Sequence, residues 1–431
     1  MTTSRYVTLR VILGVLLVLG FTPASPAASA AFVQQPGQFR HACAVCRGSS
    51  EEGTECAPFL VNDGYLVDVI CLATEDNSPQ SQDTRLGVYP VPMTRRRREK
   101  LGHLLDWGMS IFFMFWYTNK LNFKHHYDLI HVHNMPDLLI FCAVAQRLGG
   151  TPVILNIHDA VPELTQSKLG IGPRHPLVRI QNLLEKICVA LSSHVITATK
   201  SFKKKLVERG TAEKKITVIT NFPDERLFDS RDSLRVRNIN DTEFVLLYVG
   251  TVAYRYGLET VVKALPYLRK RIPGVKLQVF TKIKEEGKAL SDCQQLALDL
   301  QVEDIFEVND PVPLEKMPSI MANADVGVYP ALKDCHMDNA LSLKIPEMIN
   351  MELPIIASRI TVLEELYGPD SIAFVESGDT TEFSRKVVEL YEFPEKRQLY
   401  ARTAKAKGSR MLWKDQYPIY RNLVEKLIFK S

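Results

Sequence analysis

Short apolar runs alternate along the chain with stretches of helical length. His41–Cys46, Leu66–Cys71, Leu129–Val132, Pro152–Ile157, His194–Thr197 and Ile216–Ile219 are runs of nearly unbroken apolar character. Such runs, lacking a clear in-out alternation, predict strands buried on both faces. Helical patterns between them, such as Lys200–Arg209, predict strand–helix–strand units around a parallel sheet. From Asn221 to Glu243 the chain turns polar and charged, which predicts a linker. The alternation restarts at Phe244–Val249 and continues through Leu277–Phe280, Phe306–Val308, Val326–Tyr329, Ile355–Ala357 and Ile372–Phe374. The expected fold class is therefore α/β, with two doubly wound domains of similar size facing each other across a cleft. The expected division is residues 1–40 outside the fold, 41–230 and 231–405 as the two domains, and 406–431 as C-terminal helices packing back towards the first.

Composition narrows the picture. Of 431 residues, 46% are hydrophobic and 24% charged, which allows extensive cores and excludes disordered, collagen-like and multispan membrane chains. Lys plus Arg number 53 against 49 Asp plus Glu, and that net of +4 is too small to indicate a nucleic-acid partner. The eight cysteines are scattered. Cys43 and Cys46 form a C-x-x-C inside a strand-like run with no second Cys or His pair at zinc spacing, so core thiols are favoured over a redox or metal pair.

At the amino terminus Arg5 and Arg10 precede the apolar Val11–Phe21, and Ala28-Ser29-Ala30 offers a small-x-small cleavage pattern. A signal peptide, an uncleaved anchor interrupted by Pro23 and Pro26, and an overextended gene start all fit that stretch. A basic run, Arg95–Arg98 with Lys100, leads into Leu101–Leu121, which is crowded with Trp107, Phe112, Phe113, Phe115, Trp116 and Tyr117. A helix lying in a membrane interface through residues 95–121 and a helix buried in the first domain are both open readings.

In doubly wound sheets ligands collect beyond the carboxyl ends of the strands, and several of those ends carry unusual residues. Gly250-Thr251-Val252-Ala253-Tyr254-Arg255-Tyr256-Gly257 leads into a helix; small residues, a helix start and one arginine suit an anionic ligand, although a turn with a solvated arginine fits as well. Lys344 and Glu347, three apart, share a helix face as either a ligand-binding or a surface ion pair. His131 and His133 fall on one side of their strand, and His158-Asp159 ends the next. No third ligand at metal spacing accompanies them.

Taken in order, HVHNMPD, NIHDAVPEL with Ser167-Lys168-Leu169-Gly170, the GTVAYRYGLE loop, MANADVGVYP and SLKIPEMINMELPIIAS resemble the retaining glycosyltransferases of family four. The resemblance spans about residues 41–425. It implies the GT-B fold, two Rossmann-like domains with an acceptor side in the first and a nucleotide-sugar site in the second. It also implies a metal-independent transfer with no cofactor beyond the nucleotide-sugar co-substrate. Carried over residue by residue, Glu347 would hold the donor ribose, Arg255 with the backbone of Gly250 and Thr251 the diphosphate, and Lys344 the phosphate nearby, with Asn339, Ser342 and Leu343 completing the donor loop. His133 would contact the transferred sugar, so that His133, Arg255 and Glu347 form the catalytic set. His158 and Asp159 would line the acceptor side.

The pattern departs from the family in places. Asn339 stands where the first of two glutamates is usual, and Thr251 and Tyr256 replace a basic pair, leaving Arg255 to supply that charge. Thr281–Glu286 is charged where glycines are common, and Arg47–Gly53 lacks a double glycine. The expected function is transfer of a sugar to a lipid-linked saccharide or other envelope or exopolysaccharide precursor. The alternative is a catalytically silent GT-B relative that binds a glycan or protein partner; an epimerase on the same fold matches the segments less well. Because the donors of this family are cytoplasmic, the expected location is cytoplasmic and membrane-associated, with secretion or anchoring through residues 1–30 as the alternative.

Overall fold

The structure, a computed structural model, describes residues 40–45, 57–72, 84–91, 100–134, 137–230, 243–282 and 287–429. Residues 1–39, Cys46, Arg47–Gly53, the basic run at 95–98 and the charged loop at 283–286 lie outside the described residues, as do residues 231–242 within the linker.

The chain forms two wholly parallel sheets. In the first, β1 (Arg40–Val45), β2 (Tyr65–Leu72), β3 (Leu86–Val91), β4 (Leu129–His133), β5 (Val153–Ile157), β6 (His194–Thr197) and β7 (Ile216–Val218) lie in the order β3-β2-β1-β4-β5-β6-β7. In the second, β8 (Phe244–Val249), β9 (Val275–Phe280), β10 (Phe306–Asn309), β11 (Val326–Tyr329), β12 (Ile355–Ser358) and β13 (Ala373–Val375) lie in the order β10-β9-β8-β11-β12-β13. The apolar runs became strands for the reason their composition suggests: β4, β11 and β12 are buried at every position, and β8 nearly so. β3 has no counterpart among the predicted runs. It is an edge strand of half-buried residues containing Pro90, so it lacks the continuous apolar signal of a central strand.

The strand order reverses between β1 and β4 in one sheet and between β8 and β11 in the other. Connections leave such a switch point in opposite directions, opening a crevice at the carboxyl ends of those strands. β4 ends at His133, β8 runs into Gly250 and β11 into Pro330, so the sequence-singled residues stand at both crevices.

Each sheet has its own core. The last helix, Trp413–Ile428, belongs to the first: Trp413, Tyr420, Leu423 and Val424 are buried with β4 and β5 residues. Trp413 stacks on Phe222 at 4.7 Å between centroids, and Tyr417 and Arg421 both engage Asp63. Residues 413–428 thus cross from the second sheet's side back to the first. The helix Lys100–His125 buries Ile111, Met114, Phe115 and Leu121 in the same core. Among the described cysteines, Cys71, Cys142, Cys188 and Cys293 are buried and Cys335 is exposed. Among the described residues no helix is long and apolar enough to cross a membrane.

Candidate active site

The cleft holds a cavity of about 320 Å³ lined from both halves of the molecule. From the first come His131, His133, His158 and Asp159, and from the second Arg255, Tyr329, His336, Ser342, Leu343 and Lys344.

The first side is built on the ends of β4 and β5. The two-residue strand period puts His131 and His133 side by side, with rings stacked at 4.3 Å between centroids. His133 Nδ1 lies 2.9 Å from His158 Nε2, and His131 Nδ1 lies 3.0 Å from the Tyr420 hydroxyl on the last helix. Burial, with neighbouring imidazoles second, lowers His131 to about 3 and holds His133 well below the ordinary histidine range. Both rings are therefore neutral around pH 7, and within the His133–His158 contact one ring donates and the other accepts. Asn134 fastens the two strand ends. Its Nδ2 donates to Asp137 and to the Asp159 carbonyl, each at 2.8 Å, while its Oδ1 accepts from the His158 N–H. Burial pushes the Asp137 carboxyl up to about 6.

The second side begins at β8. Gly250 has φ +122° and Gly257 φ +67°, backbone that L side chains rarely adopt. A Cβ on Gly257 would stand 2.0 Å from the Pro330 carbonyl oxygen, so only glycine lets the loop close against the end of β11. Between them a short turn, Tyr254–Tyr256, presents Arg255, whose guanidinium lies 4.7 Å from the Tyr256 ring centre and whose buried Nε has no hydrogen-bond partner. The Gly250 N–H donates to the Phe280 carbonyl at 3.0 Å, so it continues the ladder to β9 instead of pointing an amide into the cleft. A Cβ on Gly250 would meet Lys344 Cε at 3.3 Å, so that glycine makes room for the lysine stem. Lys344 opens the helix Lys344–Asn350, and Glu347 sits half-buried one turn on.

Not every singled-out residue reaches the cavity wall. Gly250, Thr251, Asn339 and Glu347 are not part of its lining. Asn339 caps its own turn through Nδ2 to the Cys335 carbonyl, and its own carbonyl accepts from Thr199 across the cleft. Conversely, the loop Leu332–Leu343 carries residues that spacing did not mark. Asp334 accepts from Ser167 at 2.5 Å and from the N–H groups of His336 and Met337 at 2.7 Å each. Buried His336 places Nε2 3.6 Å from Asp159 of the first half, and burial lowers its pKa although Asp159 acts to raise it. The available signal was position alone, since this loop follows β11 at the switch point. Among the described residues no group of three or more His, Cys, Asp or Glu is arranged to hold a metal ion.

The profile for Glycosyltransferase Family 4 matches residues 54–226, and that for Glycosyl transferases group 1 matches residues 243–392. The chain belongs to the family-four glycosyltransferases. This glycosyltransferase is 22% identical to D-inositol 3-phosphate glycosyltransferase of Pseudarthrobacter chlorophenolicus, over 83% of this chain and 85% of the relative. It is 23% identical to the MMP alpha-(1->4)-mannosyltransferase of Mycolicibacterium hassiacum, over 57% of this chain; the match spans 58% of that relative's length. In fold it resembles sucrose-phosphate synthase from Thermosynechococcus elongatus, with a TM-score of 0.71 at 16% identity, covering 91% of this chain and all of the other. It also resembles Anabaena HepE solved in complex with UDP-glucose, with a TM-score of 0.63 at 17% identity, covering 90% and 99%. These neighbours share the GT-B architecture of two parallel-sheet domains.

Proposed function

We propose that this glycosyltransferase moves a sugar, with retention at the anomeric carbon, from a nucleotide-sugar donor to a hydroxyl of a glycan or lipid-linked saccharide. One observation carries the reading: the cavity joins a hydroxyl-matching wall, built on the neutral His133 with His158 and Asp159, to a cationic one (Arg255, Lys344). A nucleoside diphosphate needs the second and a sugar the first.

In this reading Arg255, Lys344 and the Thr251 backbone hold the diphosphate, Glu347 the ribose, and Ser342 and Leu343 the donor loop around it. Asn339 acts through its turn. When the bond between the anomeric carbon and the phosphate oxygen breaks, negative charge develops on that oxygen, and a half-buried guanidinium with an unpaired N–H is suited to stabilise it. The acceptor oxygen bonds the same carbon from the same face, and its proton passes to the departing phosphate. His133, uncharged and fixed by His158, orients hydroxyls of the transferred sugar, while His158 and Asp159 face the acceptor. Relatives named for inositol 3-phosphate and for UDP-glucose complexes agree with such ligands.

The test is thermal-shift and donor-hydrolysis measurement with nucleoside diphosphates and their sugars, on the wild type, Arg255→Ala and Glu347→Ala. One nucleotide should stabilise the wild type, by about 3 kcal/mol at a hundredfold excess over Kd, and neither variant. Binding without any donor turnover would favour the silent relative. No shift with any nucleotide would remove the proposal.

A further inference from the structure

The helices Lys100–His125 and Pro176–Leu191 lie on one face of the first sheet. The first connects β3 to β4 and the second precedes β6 after β5. Both connections advance in the same direction across the strand order, and right-handed crossovers then put both helices on the same side. Both pack against the segment Asp137–Ala143 between them.

Their outward faces are apolar. On the first helix Met109, Phe112, Trp116 and Phe123, at spacings that keep one side of a helix, are 48%, 45%, 46% and 86% exposed. On the second, Leu177, Ile180, Leu183 and Ile187 repeat the arrangement, with Ile180 and Leu183 more than half exposed. The inner faces are already satisfied by the core, through Met114 and Phe115 on one helix and Val178 and Cys188 on the other. Among the described residues, two apolar stripes on neighbouring helices are therefore left uncovered, far more than scattered surface residues require.

Charge indicates what covers them. Between residues 108 and 191 the exposed ionised side chains are Lys120, Lys124, Arg179 and Lys186 on the two helices, with Lys168 at the cleft wall and Arg174 in the loop before the second helix. No described carboxylate in that span is exposed: Asp137, Glu163 and Glu185 are buried, and Asp128 and Asp159 are only partly accessible. Lys120 rests its ammonium 4.8 Å from the Trp116 ring centre, beside the stripe. In sequence, Arg95–Arg98 end two residues before the first helix begins. A second copy of this face would bring cations against cations.

We infer that this two-helix face seats the enzyme on an anionic lipid bilayer, aromatic and aliphatic stripes inserted to the headgroup boundary and cations against lipid phosphates. It extends the single-segment expectation for residues 95–121 to a surface built by two helices distant in sequence. It does not depend on which donor or acceptor the cleft takes.

The experiment is co-sedimentation of the full chain with phosphatidylcholine vesicles with and without phosphatidylglycerol. The variants are Phe112→Ser with Trp116→Ser, Ile180→Ser with Leu183→Ser, and Lys120→Glu with Lys124→Glu. The wild type should bind the phosphatidylglycerol vesicles and release in high salt. Each apolar pair should weaken binding about tenfold or more, and the charge pair at least about twentyfold, following roughly 1 kcal/mol per cation near the surface. The second apolar pair is decisive for the two-helix surface, because it lies on the other helix, distant in sequence from residues 1–39 and 95–98. A cooperative unfolding transition at the wild-type temperature, without ligand, certifies the fold of each variant. Equal binding by wild type and by the Ile180/Leu183 variant overturns the inference. So does a dimer in light scattering that the apolar variants dissociate while the wild type ignores vesicles. Failure of nucleotide binding in the wild type would count against the proposed function and leave this result intact.

Discussion

His131 offers a direct check on the electrostatics of the cleft wall. It is buried, stacked on His133 and bonded to Tyr420, and its pKa stands at about 3 against 6.5 for a free histidine. A group whose folded pKa is depressed contributes stability above its unfolded pKa and loses it as pH falls towards the folded value. Between neutral pH and about pH 5 the unfolded chain binds a proton that the folded chain refuses. The loss is about 1.4 kcal/mol per unit over the 1.5 units below 6.5, or roughly 2 kcal/mol. Two buried carboxyls act in the opposite sense. Asp137 at about 6 and Glu185 at about 7 are raised by burial, so they gain stability as pH falls and mask the histidine in the wild type alone. The comparison with His131→Gln, which keeps a hydrogen-bonding side chain for Tyr420, cancels those carboxyls. Urea unfolding of both proteins at about pH 7.5 and about pH 5 should show the wild type's advantage shrinking by about 2 kcal/mol on acidification. An unchanged advantage would refute the neutral, buried imidazole and with it the uncharged His131–His133 stack.

Gly257→Ala should cost more than about 2 kcal/mol, from left-handed backbone strain together with the collision with Pro330, and should abolish nucleotide-induced stabilisation, since the Arg255 turn can no longer close. Arg209→Met should destabilise the first domain by about 3–5 kcal/mol in chemical denaturation, because Arg209 bridges buried Glu163 and Glu185; the cost should grow as pH rises past about 7, where Glu185 ionises beside Arg209 in the wild type. Asp334→Ala removes the acceptor for Ser167 and for two backbone N–H groups of the cleft loop. It should cost about 1–2 kcal/mol and speed limited proteolysis within residues 332–343, an effect that saturating nucleotide partly reverses.

Strands buried on both faces leave unbroken apolar runs, so the central members of both sheets and the two-domain division were legible in the sequence. β3 was not, because an edge strand of half-buried residues with a proline has no such run. That His133, His158 and Arg255 stand at the cavity was legible for a related reason: strand ends are where polar residues interrupt the apolar pattern. His336 and Asp334 were not, since their meaning depends on a loop of the second half reaching Asp159 and Ser167 of the first, contacts more than 160 residues apart. The role of Gly250 also changed once its N–H was seen to pair with Phe280.

For the helix Lys100–His125, composition left membrane-surface and buried readings open; the fold buries one face, through Met114 and Phe115, and leaves Phe112, Trp116 and Phe123 exposed on the other. Sequence by itself determined the order of elements, the parallel sheets and the family, because those follow from local periodicity and motifs. Tertiary structure decided which histidines stack and stay neutral, which loop crosses the cleft, and which apolar stripes stay bare. Each depends on which distant surfaces meet, and burial and charge at a given residue follow from that meeting.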